Sequence, residues 1–463
     1  MDLNAALAYA AGDFEKTLED LKALIRIPSI SFAGFDPAPP RQAAAACLGL
    51  LAQAGLQAQE RAHPGAPPYI LGFSKRRPDR PTVLFYAHYD VQPPMRAERW
   101  KSPAFAPEVR DGRLYGRGSA DDKAGVMLAV AAAGAWLKSG QELPVNLIVV
   151  LDGEEEIGSP HFADFLRANQ ADLAADVLVV ADLDHYETGI PSLTTSLRGI
   201  LVAEVELRSL DKPLHSGMWG GAIPDPIAAL CRVIASLTDE RGRLSVPGIY
   251  EGVIPPSEAE LQGLKSLHHD VAVFRKNATV RPGVALLEEG DRVLLRTWRE
   301  PSLVVNAIES GSRKQGGNVL MDAAWARLGV RVAPGQDPAR VRDLLVEAIK
   351  ARVPWGLEVS IACDHVAPPW KTDTAHPAFA AMKRAMRDAY GREALEVGSG
   401  ATIPFVPDTV RALGGIPALL IPVEDPSTNA HGENESLHLG DFRKALQAQV
   451  RFFAELASSH VRV

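Results

Sequence analysis

His88 and Asp90 stand two residues apart at the end of an apolar run, Val83-Leu84-Phe85-Tyr86-Ala87, and Val91-Gln92-Pro93-Pro94 follows. The β-branched and aromatic run reads as a buried strand, and the paired prolines stop it. A neutral imidazole is a common metal ligand, and a neighbouring carboxylate can fix its tautomer. The plainer alternative is a strand-end histidine hydrogen-bonded to an aspartate. Four further groups carry ligand-type side chains. Gly116-Arg117-Gly118-Ser119-Ala120-Asp121-Asp122-Lys123 leads into a helix, and Val149-Val150-Leu151 precedes Asp152-Gly153-Glu154-Glu155-Glu156. Val179-Val180-Ala181 precedes Asp182, with Asp184 and His185 close behind, and Asn429-Ala430-His431-Gly432-Glu433-Asn434 is a polar loop near the end.

Singly, each group has an ordinary explanation. Asp121 could cap the helix that begins at Lys123. Glu154, Glu155 and Glu156 could form a solvated acidic turn, Asp182 could be an exposed loop acid, and His431 a surface histidine. Jointly these explanations are strained. Carboxylates aimed at one crevice repel each other, and several kcal/mol of repulsion and desolvation would stand uncompensated. Two divalent cations would offset it.

The elements that must position these groups follow from periodicity. The sequence predicts helices over 13–26, 43–54, 123–138 and 160–169, and strands over 82–87, 145–151 and 177–181. Strands alternating with helices argue for an α/β domain with a mainly parallel sheet, whose strand ends open onto one crevice. The character changes near Gly199. Segment 200–208 partly alternates, a helix is predicted over 224–238, and the stretch to about 300 reads as loop-rich. Strands over 302–308, 325–332 and 356–362 and a helix over 338–352 complete an α+β insert. The α/β style returns with a helix over 376–390, a strand over 416–421 and a final helix over 439–458. A discontinuous domain, 1–198 and 368–463, with one insert at 199–367, is the simplest arrangement for a chain of 463 residues.

Tyr86-Ala87-His88-Tyr89-Asp90-Val91-Gln92-Pro93 and Leu114-Tyr115-Gly116-Arg117-Gly118-Ser119-Ala120-Asp121-Asp122-Lys123-Ala124-Gly125 resemble the first metal motifs of the M20 metallopeptidases. Trp100-Lys101-Ser102-Pro103-Ala104-Phe105 also resembles an element of their carnosinase and Cys-Gly dipeptidase branch, and the resemblance extends over about residues 10–458. It implies two zinc-type ions, one held by His88 and Asp182, the other by Glu156 and His431, with Asp121 bridging. Manganese or cobalt would also suit such mixed ligands. It further implies Asp90 as the partner that orients His88, Glu155 as general base, and a cis peptide between Asp121 and Asp122. Matching Glu-Glu-Ile-Gly-Ser selects Glu155 and Glu156 from the three glutamates, and spacing to Leu197-Arg198-Gly199 favours Asp182 over Asp184.

In the insert, Pro213-Leu214-His215-Ser216-Gly217 resembles the family's lid element. The resemblance implies a lid and homodimerisation domain, with His215 reaching the partner's active site to stabilise an oxyanion. Asn306 and Arg331 fall at substrate-binding positions, and an arginine can grip a carboxylate with two hydrogen bonds. Gly400 lies in Glu396-Val397-Gly398-Ser399-Gly400-Ala401-Thr402-Ile403-Pro404, which lines the substrate pocket in relatives. The branch's Arg-Glu pair is missing there, so the side-chain preference of the relatives does not transfer.

The function so implied is di-metal hydrolysis of short peptides, most simply by a dipeptidase acting on a small peptide substrate. An N-acyl amino acid deacylase on the same scaffold is one alternative, and a non-catalytic ligand-binding module is another. Glu155 beside the five ligand positions argues against the latter, since binding alone needs no base. Net charge is −8, from 49 basic and 57 acidic residues, and no basic block interleaved with aromatics appears, which excludes nucleic acid as a natural partner. No apolar run reaches membrane-spanning length, and the N-terminus lacks the basic and apolar regions of a signal peptide. The three scattered cysteines suit a reducing compartment, so a cytoplasmic location is expected.

Overall fold

A computed structural model describes residues 1–267, 269–313 and 316–459. The chain forms two compact units. One comprises residues 1–195, 372–397 and those from 405 onward; the other comprises 196–371 and 398–404.

The first unit is built on β1 (Gln57–Arg61), β2 (Tyr69–Phe73), β3 (Thr82–His88), β4 (Asn146–Asp152), β5 (Val177–Asp184), β6 (Ser192–Leu197) and β7 (Ala418–Glu424). Their order across the sheet is β1-β2-β4-β3-β5-β7-β6. The four inner strands β4, β3, β5 and β7 run parallel, and the flanking pairs are antiparallel. Every residue of β3 and β4 is buried, which is why these strands are continuous apolar runs without alternation.

Helix Lys123–Lys138 packs against the sheet and against helices Leu3–Gly12 and Leu439–Ser458, and the last also packs on Pro377–Tyr390. Its run of alanine and glycine permits that close approach. A Cβ on Gly125 would stand 2.5 Å from the Ala181 carbonyl oxygen, so only glycine fits where this helix starts beside β5. Trp136 anchors the other end, with Nε1 donating to the Val450 carbonyl at 3.1 Å.

The second unit holds a four-stranded antiparallel sheet in the order Ser302–Glu309, Ala323–Val332, Gly199–Arg208, Glu358–Ala367. The two central strands alternate buried and partly exposed residues, the signature of a sheet covered on one face. Leu201, Val205, Leu328 and Val330 meet Leu230 and Val233 of helix Pro226–Ser236 and Val341 and Leu345 of helix Pro338–Arg352. The stretch read from sequence as loop-rich contains helices Glu258–Ser266, Val271–Asn277 and Arg292–Arg299. The first two depend on caps more than on period: Ser257 and Glu260 form a capping box, and Asp270 accepts from the Ala272 N–H. Among the described residues, no helix is long and apolar enough to cross a membrane, and Cys47, Cys231 and Cys363 are all free thiols.

Candidate metal centre

The parallel strands deliver side chains to their carboxyl-terminal ends in the first unit. His88 is the last residue of β3. Glu155 and Glu156 follow β4 in a single 3₁₀ turn, Glu155–Ile157. Asp182 lies within β5, which runs on to Asp184, rather than in a loop beyond it. Asp121 does not come from this sheet. It follows Arg113–Tyr115, a short strand paired antiparallel with Ser436–His438, directly after the loop that carries His431. The helix cap is Asp122, not Asp121: its carboxylate accepts from the Gly125 N–H at 3.1 Å and from the His88 N–H at 3.1 Å. The Asp121–Asp122 peptide is cis.

These residues form two donor triads that share one member. His88, Asp121 and Asp182 offer ligand atoms within 4.8 Å of one another, and so do Asp121, Glu156 and His431. His88 Nε2 lies 3.2 Å from Asp121 Oδ1 and 3.6 Å from Asp182 Oδ1, and His431 Nε2 lies 3.0 Å from Asp121 Oδ2 and 3.3 Å from Glu156 Oε2. Asp121 thus presents one oxygen to each triad. Glu155 stands beside the first, its carboxylate 4.0 Å from His88 Nε2.

The centre attracts positive charge. His88 is fully buried; burial alone would lower its pKa, but the neighbouring carboxylates of Asp121, Asp182 and Asp90 push it well above the usual histidine value. Asp121 and then Glu156 push His431 up to about 11. Asp121 is held low by His431 and His88 against its own burial. Burial raises Glu155 well above the carboxylate range and Glu156 to about 7. Carboxylates that can stay charged only by recruiting protonated histidines are suited to divalent cations. The buried Nε2 of His88, which has no aligned hydrogen-bond partner, supplies an open donor of the right kind. The residues therefore fit a pair of metal ions.

Supporting contacts surround these donors. Asp90 is wholly buried. One of its oxygens lies 3.3 Å from His88 Nδ1, and its carboxylate accepts the N–H groups of Glu155 and Glu156 at 3.2 and 3.1 Å and the Ser31 hydroxyl at 2.7 Å. Three residues that sequence reasoning did not single out also act here. Gln92 donates to Glu156 through its backbone N–H (2.9 Å) and side-chain amide (2.7 Å). Asp152 accepts from Ser159 Oγ, Tyr86 Oη and the Gly153 N–H, which fixes the turn carrying Glu155. Glu435 accepts four hydrogen-bond donors of the Arg117–Asp121 segment. The run of polar residues at 429–435 was the only sequence signal for Glu435.

The other sequence-predicted residues belong to the second unit. His215 is exposed in a two-residue strand paired with Val319–Leu320, and its Nδ1 accepts from the Gly217 N–H at 3.1 Å. Asn306 occupies the irregularity between Val305 and Ala307, with its amide oxygen 2.4 Å from where a Cβ on Gly329 would stand. Arg331 donates to Thr402 Oγ1 at 2.8 Å, and the Thr402 hydroxyl donates to the Arg198 carbonyl. Arg198 donates to the Gly400 and Glu300 carbonyls and to Ser302 Oγ. None of these described partners of the two arginines is a carboxylate. Burial, with the Arg331 charge adding to it, lowers Arg198 to about 10. A third group of metal-type donors, Asp425, His438 and Asp441, lies in the first unit. Arg113 already grips Asp425 there with two hydrogen bonds of 2.8 Å and supplies its cation.

Comparison with known proteins agrees with this chemistry. The model of peptidase family M20/M25/M40 matches residues 84–456. The chain is 34% identical over 390 residues to a cysteinylglycine-S-conjugate dipeptidase of Corynebacterium striatum, covering 83% of each chain. It is 28% identical over 400 residues to the human β-Ala-His dipeptidase, covering 85% of this chain and 78% of the relative. The crystal structure of human carnosine dipeptidase 1 superposes with a TM-score of 0.84 at 26% identity, over 98% of this chain and 99% of that one.

Proposed function

The chain belongs to peptidase family M20/M25/M40 and is a metal-dependent hydrolase of dipeptides, and from that premise we propose how its residues divide the work. His88 and Asp182 would hold one divalent ion, Glu156 and His431 would hold the other, and Asp121 would contribute to both. Zinc is the ion proposed, with manganese or cobalt as substitutes that the same nitrogen and oxygen donors accept. The observation that carries the reading is the pair of donor triads overlapping in Asp121, with Glu155 beside them.

When bound, such ions lower the pKa of a nearby water and polarise the scissile carbonyl. The chain's own residues do the rest. Glu155 accepts a proton from the attacking water as the oxygen adds to the carbonyl carbon, and returns it to the leaving amine nitrogen as the C–N bond breaks. Asp90 keeps the His88 ring and the Glu155–Glu156 backbone in register. Arg331, with Asn306 and Gly400, binds the substrate's terminal carboxylate; the absence of a carboxylate among the described partners of Arg331 and Arg198 supports this. His215 of a partner subunit donates to the developing oxyanion.

That last role requires a homodimer. The edge strand Ser302–Glu309 supports one, because it exposes Val304 and Ile308 along a sheet edge that no strand among the described residues pairs. Three unpaired cysteines support a cytoplasmic location.

The test is hydrolysis of a dipeptide panel by protein stripped with a chelator and then reconstituted with zinc, manganese or cobalt. Stripping abolishes turnover and reconstitution restores it, and dipeptide amides, which lack the terminal carboxylate, react more slowly than free dipeptides. Unchanged turnover after complete metal removal would overturn the reading.

A further inference from the structure

Asp121 and His431 approach within 3.0 Å although 310 positions of sequence separate them, and they arrive on loops rather than on the central sheet. His431 has a left-handed backbone, φ 60°, as do Asn429 and Asn434 in the same loop. Such conformations persist in residues other than glycine only where the surroundings over-determine them. Asn434 bonds the Lys101 N–H and the Arg99 carbonyl at one side of this loop, Arg96 bonds Glu433, and against it lies a buried ion pair, Arg117 with Glu435. Their side chains are 1% and 0% exposed, and Arg117 Nη1 donates to Glu435 Oε2 at 2.8 Å.

Each partner reaches beyond the pair. The Glu435 carboxylate also accepts the N–H of Gly118 on Oε2 at 3.0 Å, and those of Ala120 and Asp121 on Oε1 at 3.0 and 3.2 Å. It therefore holds the backbone of the bridging aspartate itself. Arg117 Nη2 donates to the Gly432 carbonyl at 3.1 Å, one residue from His431, and to the Pro93 carbonyl at 3.2 Å, in the loop that leaves β3 after His88. The backbones are tied as well: Gly116 N–H donates to the Glu435 carbonyl at 3.0 Å. The guanidinium lies 5.5 Å over the Trp100 ring, so its apolar face is covered.

We propose that Arg117 and Glu435 are positioning residues that clamp the two ligand-bearing loops to each other and to the loop leaving β3, so that Asp121 and His431 meet in the geometry one ion requires. Neither touches a donor atom of the centre. The pair acts through backbone groups, which explains why an arginine is used: only its planar fork reaches a carboxylate and two carbonyls at once, whereas lysine is a point charge. A buried pair is weak grounds for added stability, because its desolvation offsets its attraction. Its use here is specificity of geometry. The inference rests on the two-ion reading, and its test separates the two.

The variants are Arg117→Lys and Glu435→Gln, and the readout is metal uptake by stripped protein, followed by calorimetry. Wild type takes up two ions. The variants bind the His431-side ion about 10- to 100-fold more weakly, the usual cost of losing an outer partner of a ligand, and lose less at the His88-side ion, which keeps His88 and Asp182 in place. Excess metal restores kcat, with KM unchanged, and circular dichroism of the stripped variants shows them folded before metal is added, which separates weakened uptake from a destabilised fold. Amide exchange is measured in parallel on metal-free wild type. The N–H groups of Gly118, Ala120 and Asp121 are protected there, because the clamp is assembled before metal arrives. Unprotected amides in metal-free wild type, or folded variants that bind both ions with wild-type affinity, would overturn the proposal. If neither variant folds, the wild-type exchange result decides alone. If wild type itself takes up fewer than two ions, the two-ion reading fails, and amide exchange still decides the clamp.

Discussion

Asp90→Asn isolates the contribution of one buried carboxylate without changing its shape. Asp90 offers two oxygens to four neighbours: the His88 ring, the N–H groups of Glu155 and Glu156, and the Ser31 hydroxyl. An asparagine offers one oxygen. With its amide nitrogen on the Oδ1 side, the Glu155 N–H loses its acceptor; on the Oδ2 side, the Glu156 N–H does, and Ser31 must turn to accept. Either way one part-buried N–H is orphaned, at a cost of at most about 1–3 kcal/mol. At roughly 2 °C per kcal/mol for a unit of this size, Tm falls by at most about 2–6 °C. The loss at the centre is asymmetric. His88 Nδ1 keeps the Asp90 backbone carbonyl at 3.2 Å but loses the anion beside it, so the affinity of its ion drops about 10-fold. Glu156 keeps both of its hydrogen bonds from Gln92, so the other ion is retained. Calorimetric titration of stripped protein resolves the two uptakes, and a His431→Ala variant identifies which phase belongs to which triad. Wild-type affinity on the His88 side in Asp90→Asn, or weakening confined to the His431 side, would refute the assignment of Asp90.

Glu155→Gln removes the proton acceptor but no proposed ligand; kcat on a dipeptide falls by about 10²- to 10⁴-fold while both ions are still taken up, and near-wild-type turnover would remove Glu155 from its role. In the second unit, Glu260 is held down to about 2 against its burial by the Ser257 N–H, Lys371 and Arg299. A carboxylate depressed in the folded state stabilises it above the unfolded pKa of about 4.3, and that stability is lost as pH falls from there toward 2. Denaturant titrations of wild type and Glu260→Gln between pH 6 and pH 2 should therefore converge at the acid end; parallel curves would refute the linkage. Charging the exposed edge with Val304→Lys and Ile308→Lys should shift the protein toward monomer in sedimentation, and an unchanged dimer would place the interface elsewhere.

Much of this fold is legible because its signals are local. Helix 123–138 begins at a cap and runs in small residues, and 338–352 and 439–458 are bounded by turn residues, so the observed limits coincide with those read from the sequence. The inner strands stand out as apolar runs because both of their faces are covered. The flanking strand β1, Gln-Ala-Gln-Glu-Arg, carries no such signal: it is half exposed, and pairing with β2 decides its conformation. Helices 258–266 and 271–277 were missed for a related reason, since a segment of two turns is too short to display a period and is held by its caps.

The donor set is legible for a different reason. Histidines and carboxylates placed at or just after buried strands are improbable unless something compensates their charge; His88, Glu156 and Asp182 stand out this way, the family motifs add Asp121 and His431, and the five come together in the structure as two triads. Their supports are not legible, and the difference is chemical. Glu435, Asp152 and Gln92 act on backbone N–H groups, hydroxyls and a carboxylate brought near by folding, at separations of up to 317 residues. A backbone amide has no sequence identity, so no spacing rule can point to the residue that binds it. Arg117 stood inside a recognised motif and still gave no sign of its task, because two of its three described hydrogen-bond acceptors are the carbonyls of Pro93 and Gly432. A metal centre of this kind therefore announces its ligands in sequence and conceals the contacts that fix their geometry. Substitutions among the concealed contacts should alter metal affinity without altering which residues bind metal.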